Sequence, residues 1–182
     1  MIAKGLHFPS VTLVGAVLAD VGLAVPDYRA GERTFQLLFQ VAGRSGRGDP
    51  GKVIIQTYQP ENYAIRAAAA QDYRRFYEEE LSHRRQHGNP PFSRLVRLTY
   101  SHVNRAKCEQ EAVRLATALS QARQEWGLSD VMVLGPMPGY PTRLRGHYRW
   151  QVTLRGAQPR TLMDRVDTPS GWTVDVDPMA PS

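Results

Sequence analysis

The chain has 182 residues and a mass of 20.4 kDa, which allows one compact domain or two small ones and excludes a large multidomain enzyme. Its composition, 42% hydrophobic and 22% charged, is that of an ordinary globular protein. No apolar run is long enough to cross a membrane and no secretory signal is recognisable, so we expect a soluble, cytoplasmic protein. The single cysteine, Cys108, excludes an internal disulfide and a four-thiolate zinc site.

The net charge of +6 is carried almost entirely by arginine, which supplies 20 of the 23 basic residues. The planar guanidinium group of arginine presents a fork of donors that can hydrogen-bond to phosphate, and a pI near 9.8 indicates polyanionic partners. A biased genomic base composition would also enrich arginine. The distribution favours a binding role, because six arginines and only one acid, Asp164, lie between Arg143 and Arg165.

The first half of the sequence predicts an α/β crossover. An apolar, β-branched run over 8–20 predicts a buried strand, and apolar residues at helical spacing predict a helix over 29–42. A loop with four glycines and a proline follows at 43–51, and a second β-branched run over 52–58 predicts another strand. The order strand, helix, loop, strand is typical of parallel α/β proteins.

The second half predicts a different, smaller domain. Residues 61–87 predict one or two helices, and the segment 88–91 ends them. The remaining elements are strand 95–100, helix 106–126, strand 131–134 closed by the Gly-Pro segment 135–139, strand 148–155, short helix 159–166 and strand 172–177. This β-α-β-β-α-β order is the split βαβ, or ferredoxin-like, arrangement.

Alternation along the strand 148–155 separates two kinds of side chain. Tyr148 and Trp150 fall on one face and Arg149 on the other. We expect the aromatic pair to be part of the core, although either ring could stack on an unpaired base. The arginine side is the better candidate for binding a polyanion.

The segment 40–48 reads QVAGRSGRG and is a candidate anion site. Two arginines, each preceded by glycine, let the backbone approach a ligand while two guanidinium groups project toward it. That arrangement suits a transferring phosphoryl group. A solvated, flexible Gly-Arg loop explains the spacing equally well.

Several segments resemble a known family. Residues 40–47 resemble motif VI, and residues 1–9 motif V, of superfamily 2 helicases. The sequence of residues 26–33, PDYRAGER, resembles the PriA, or primosomal protein N′, family of replication restart helicases. Further segments match the carboxy-terminal region of that family in order: PPF at 90–92, VLGP at 133–136, YRWQ at 148–151 and DVDP at 175–178. The resemblance covers nearly the whole chain.

The resemblance implies an α/β fold: a partial RecA-like helicase lobe followed by a small α+β domain similar to ribosomal protein S10. It divides the chain into a lobe part at 1–58, a helical connector at 59–90 and a DNA-binding domain at 91–182. In the lobe, Arg44 and Arg47 would face the ATP phosphates, with Arg47 as the arginine finger. The other residues implied near ATP are Gln40, Gly43, Gly5 and His7. Lys4 would contact DNA, and His7 could equally be a polar loop residue.

The resemblance also implies function and partners. The terminal domain would bind branched and single-stranded DNA through Arg143, Arg145, Arg149 and Arg155. The family implies an ATP-dependent 3′–5′ DNA helicase of replication restart, with Mg²⁺, single-stranded DNA-binding protein and primosome proteins as partners. The chain departs from the family in lacking a phosphate loop, an Asp-Glu-x-His box and the zinc-binding cysteines. We therefore expect a carboxy-terminal fragment that is inactive by itself; the alternative is a stand-alone nucleic-acid-binding or regulatory protein without ATPase activity.

Overall fold

The computed structural model describes residues 12–43 and 52–178. These residues form a mixed α and β structure with two separate sheets, which confirms the predicted mixture of helices and strands. The chain divides between His83 and Arg84 into two compact units. None of the helices in the described ranges has the length and apolar character needed to span a membrane.

The first unit contains a short parallel sheet. Strand β1 pairs with β2 in parallel, from Leu13 opposite Lys52 to Ala16 opposite Ile55. Both strands are shorter than the apolar runs that predict them. The elements up to the unit boundary are β1 (Leu13–Ala16), a 3-10 helix (Ala19–Val21), α1 (Ala30–Ala42), β2 (Lys52–Ile55), α2 (Tyr63–Ala69) and α3 (Tyr73–Gln86), whose last three residues belong to the second unit.

The core of the first unit joins α1 to α2 and α3. The Phe35 ring stacks on Phe76 with ring centroids 3.9 Å apart, and Ile65 of α2 is buried in the same cluster. The side chain of Asn62 starts α2 by accepting a hydrogen bond from the Ala64 amide at 3.0 Å. Much of the segment predicted as a connector thus packs within the first unit, and the three-part division of the chain remains a prediction.

The second unit is a four-stranded antiparallel sheet with helices on one face. Its elements are β3 (Arg94–His102), α4 (Arg105–Glu125), β4 (Met132–Leu144), β5 (His147–Gly156), α5 (Pro159–Met163) and β6 (Trp172–Val176). The strands lie in the order β4-β5-β3-β6 and all neighbours are antiparallel. The core that packs α4 and α5 on the sheet includes Val96, Leu98, Leu115, Leu119, Val152, Leu154 and Leu162. The elements therefore follow the order β-α-β-β-α-β.

The predicted end of the strand at 131–134 is wrong. Strand β4 continues to Leu144 through Pro136, Pro138 and Pro141, although these residues read as a closing loop in the sequence. Proline is tolerated because β4 is an edge strand, and its register with β5 shifts at two places. Gly135 has φ +102° and a Cβ there would lie 2.9 Å from the Gln151 carbonyl oxygen, so glycine is required by the close approach of β5.

Candidate nucleic-acid interface

Within the described part of the second unit, α4 and α5 pack against one face of the sheet, and we call the opposite face the open face. Along β5, Val152 and Leu154 enter the core beneath α4 and α5. Because side chains alternate along a strand, Arg149 and Arg155 project to the open face. The predicted separation of arginines from the core residues of β5 is therefore present in the structure.

Trp150 occupies the core side of β5, where the aromatic pair is predicted. Only 8% of it is exposed, and it is clustered with the buried residues Cys108 and Ala112. Tyr148 is partly buried and packs against the same cluster. The prediction that these rings belong to the core is confirmed.

Arg149 lies on the open face but is buried there, with 6% of its surface exposed. Its Nη1 donates to the Tyr140 carbonyl oxygen at 3.5 Å, at the outer limit of a hydrogen bond. Arg97, also on the open face, is 9% exposed. Burial and the nearby positive charge of Arg97 lower the pKa of Arg149. An arginine keeps its proton at neutral pH, so two positive charges are held close together with little access to water.

A pocket of about 330 Å³ opens beside Arg149. Strands β3, β5 and β6 and the turn between β4 and β5 contribute its walls. The lining residues are Thr99, Ser101, Leu144, Arg145, His147, Arg149, Thr173 and Asp175. Two arginines and a histidine thus face one carboxylate, together with three hydroxyl groups that can donate hydrogen bonds.

The turn between β4 and β5 holds two of the predicted arginines. Arg145 and Gly146 have φ of 48° and 85°, as a two-residue hairpin turn with two positive φ angles requires. Arg143 lies over the Tyr148 ring at 5.2 Å, and its Nε donates to the Gly146 carbonyl oxygen at 3.4 Å. Arg145 lines the pocket with Arg149, whereas Arg143 is exposed on the hairpin and is not among the pocket residues.

Arg155 lies apart from this group. It is six residues from Arg149 along β5, about 20 Å at the usual rise of a strand. Its guanidinium donates to Asn89 Oδ1 at 3.2 Å and to Met132 Sδ at 3.5 Å. The structure therefore brings Arg145 and Arg149 together and separates Arg155 from them.

The residues predicted near ATP belong to the first unit. Gln40 is exposed in the last turn of α1, and Gly43 follows that helix directly. Arg44, Arg47, Lys4, Gly5 and His7 lie outside the described residues.

Four polar pocket residues were not singled out by sequence reasoning: Thr99, Ser101, His147 and Thr173. A signal was present in β3, where Arg97, Thr99 and Ser101 alternate with apolar neighbours and therefore share one face. Periodicity alone could not indicate that Thr173 of β6 and His147 at the start of β5 would join them, because those contacts depend on sheet order.

A comparison with models of known protein families finds a match to the second unit. The model of the Primosomal protein N C-terminal domain matches residues 85–179, which is more than half of the chain. The chain belongs to the primosomal protein N, or PriA, family. The matched region includes the open face, the pocket and all four arginines predicted to contact DNA.

Relatives of the PriA family match most of this chain but only a small part of their own length. The replication restart protein PriA of Bacillus subtilis is 44% identical over 89% of this chain and 20% of its own length. The proteins of the same name from Treponema pallidum and Chlamydia trachomatis are 41% and 37% identical over 98% of this chain, and over 28% and 25% of theirs. The chain thus spans between 20% and 28% of the length of these relatives.

Within the described ranges, no three His, Cys, Asp or Glu side chains lie close enough to hold a metal ion. Cys108 is fully buried, and burial raises the pKa of its thiol. A buried, protonated thiol is a poor zinc ligand. The described residues therefore offer no set of ligands for a zinc ion.

Proposed function

We propose that this chain acts as the carboxy-terminal part of a PriA-type replication restart protein, an ATP-dependent 3′–5′ DNA helicase that acts at stalled forks. The family match at residues 85–179 and the names of the relatives support this role. The alternative, a stand-alone nucleic-acid-binding or regulatory protein, has no observation in its favour. Single-stranded DNA-binding protein and primosome proteins are the partners that the family implies.

The second unit is the DNA-binding part in this proposal. The observation that carries it is the pair of buried arginines, Arg97 and Arg149, on the face of the sheet opposite α4 and α5, beside a pocket that Arg145 also lines. Negative charge on a ligand would offset the repulsion between these buried cations. Phosphate groups of DNA supply that charge and match the geometry of guanidinium groups.

The first unit would contribute to the nucleotide site. Gln40 lies in the last turn of α1 and Gly43 follows that helix, and Arg44 and Arg47 come next in the sequence. In the proposed lobe, Arg44 and Arg47 would bind ATP phosphates, with Arg47 as the arginine finger. Gly5 and His7 would belong to the same site, and Lys4 would contact DNA. The sequence has no phosphate loop, so ATP and Mg²⁺ would be held mainly by other parts of the complete protein.

The sheet of the first unit also favours a role within a larger lobe. Parallel sheets are usually covered on both faces. Here Leu13 is 57% exposed, Ile54 58% and Val17, just after β1, 78%. Exposed apolar side chains on so short a parallel sheet are expected where the sheet is completed by further chain.

Two measurements on the purified chain test this proposal. Fluorescence anisotropy with a labelled fork and a labelled single strand should detect binding at about 50 mM salt that weakens steeply as salt rises. Absence of binding to both DNAs under these conditions would overturn the DNA-binding role. An ATPase assay should detect no DNA-stimulated turnover, and turnover above a protein-free blank would contradict the view that the nucleotide site is incomplete.

A further inference from the structure

We propose that the open-face pocket beside Arg149 is a binding site for one phosphate group, with Arg149 as its principal cation. This proposal rests on the DNA-binding role above and narrows it to a defined point of contact. It assigns roles to Thr99, Ser101 and Thr173, which the family resemblance does not.

The burial of Arg149 is the first argument. An arginine residue that is 94% covered would normally be paired with a carboxylate, because an unpaired buried charge is costly. Arg149 forms no ion pair with any described residue, and its hydrogen bond is the 3.5 Å contact to the Tyr140 carbonyl oxygen. Its remaining donors are available to a ligand in the pocket that it lines.

The arrangement of charges is the second argument. Arg97 adds a second positive charge near Arg149, and the two charges repel each other. Asp175 is the one acid in the lining, and it lies opposite Arg97 in the register of β3 with β6. With Arg145 at the hairpin turn, the pocket retains a positive balance that favours an anion.

The neutral groups of the pocket are the third argument. Thr99 is 8% exposed, and Ser101 and Thr173 lie on the same side of the sheet on β3 and β6. Hydroxyl groups beside a guanidinium fork can donate hydrogen bonds to several oxygens of one phosphate group. The volume of about 330 Å³ accommodates a phosphate with part of an attached sugar.

The phosphate can come from two sources with the same chemistry: a phosphodiester within a DNA strand or a terminal phosphomonoester. The two differ in what they predict for oligonucleotides. An internal phosphodiester predicts equal affinity for short thymidine oligonucleotides with and without a 5′-phosphate. A terminal phosphomonoester predicts tighter binding when the 5′-phosphate is present.

The direct test uses inorganic phosphate and the unmodified chain. In an NMR titration at constant ionic strength, sodium phosphate should shift the backbone amide signals of Thr99, Ser101 and Thr173 in a saturable way, whereas sodium chloride should not. If these amides do not respond to phosphate, the proposal is wrong. This measurement requires no substitution, so a variant that fails to fold cannot obscure it.

Substitutions then identify the cation. Arg149→Gln should weaken phosphate binding at least about tenfold, and Arg149→Lys less, because lysine keeps the charge but not the fork. Arg114→Gln is the matched control, since Arg114 is on α4, on the opposite side of the sheet. Equal affinities for Arg149→Gln and Arg114→Gln would overturn the assignment.

The same variants separate this proposal from the DNA-binding role. If the chain binds the labelled DNA and Arg149→Gln binds it equally well, the pocket assignment fails while the proposed function stands. If phosphate shifts the pocket amides but no DNA binds, the proposed function fails and the phosphate site stands.

Discussion

Replacing Arg149 by methionine tests how much the buried charge lowers the stability of the second unit. The substitution removes the guanidinium and its repulsion with Arg97, and it retains a flexible apolar side chain of comparable length. The hydrogen bond that is lost, to the Tyr140 carbonyl oxygen at 3.5 Å, is weak. We expect the variant to be more stable, not less.

The size of the effect follows from the burial of the side chain. Exchanging buried charged groups for apolar ones is neutral or stabilising by about 1–4 kcal/mol. Arg149 is 6% exposed and forms no ion pair with the residues that the structure describes, so we expect the free energy of unfolding to rise by about 1.5 kcal/mol. In a domain of this size such a change raises Tm by about 6–12 °C.

Tryptophan fluorescence during urea denaturation measures this change. All three tryptophans, Trp126, Trp150 and Trp172, lie in the second unit, so the signal reports its unfolding. Arg114→Met is the control, and it should change stability by no more than about 1 kcal/mol because its ion pair with Glu111 is at the surface. A loss of more than about 1 kcal/mol for Arg149→Met would refute the electrostatic reasoning.

The same urea denaturation is then repeated in the presence of phosphate. At ten times its Kd, phosphate should stabilise the natural chain by about 1.4 kcal/mol. Any general effect of the salt acts on both the natural chain and Arg149→Met. The difference between their stabilisation by phosphate therefore reports binding in the pocket. If phosphate stabilises Arg149→Met as much as the natural chain, the site is elsewhere.

Three further predictions concern the second unit. Leu154→Ala should lower the free energy of unfolding by about 3 kcal/mol in urea denaturation, because Leu154 is fully buried beneath the helices. Burial raises the pKa of Cys108, so the thiol of the unfolded chain loses its proton at a lower pH than that of the folded chain. The free energy of unfolding should therefore fall above about pH 8.5, by up to about 1.4 kcal/mol per pH unit. Urea titrations at several pH values measure this fall, and Cys108→Ala should abolish it. Arg145→Gln should reduce the log–log salt slope of single-strand binding in anisotropy titrations by about 0.7, and an unchanged slope would exclude a phosphate contact by Arg145.

Sequence reasoning located the elements whose periodicity is strong. The helix α4 and the strands β3 and β5 lie where amphipathic spacing and alternation predict them. Strand β4 was cut short because proline and glycine usually end strands, and only its position at the sheet edge permits three prolines. Whether a strand is an edge strand depends on which strands pair, and local sequence carries no such information.

Some features of the candidate site could likewise be predicted from the sequence, and others required the tertiary structure. Alternation in the sequence assigned Arg149 to the face of β5 opposite Trp150, and the density of arginines indicated a polyanionic ligand. Its burial, its nearness to Arg97 and the hydroxyl groups around it required the tertiary structure, because these neighbours come from β3, β6 and the β4–β5 turn. A sequence determines the face on which a side chain lies through local backbone geometry, whereas its neighbours and its exposure to water follow from contacts between segments far apart in the chain.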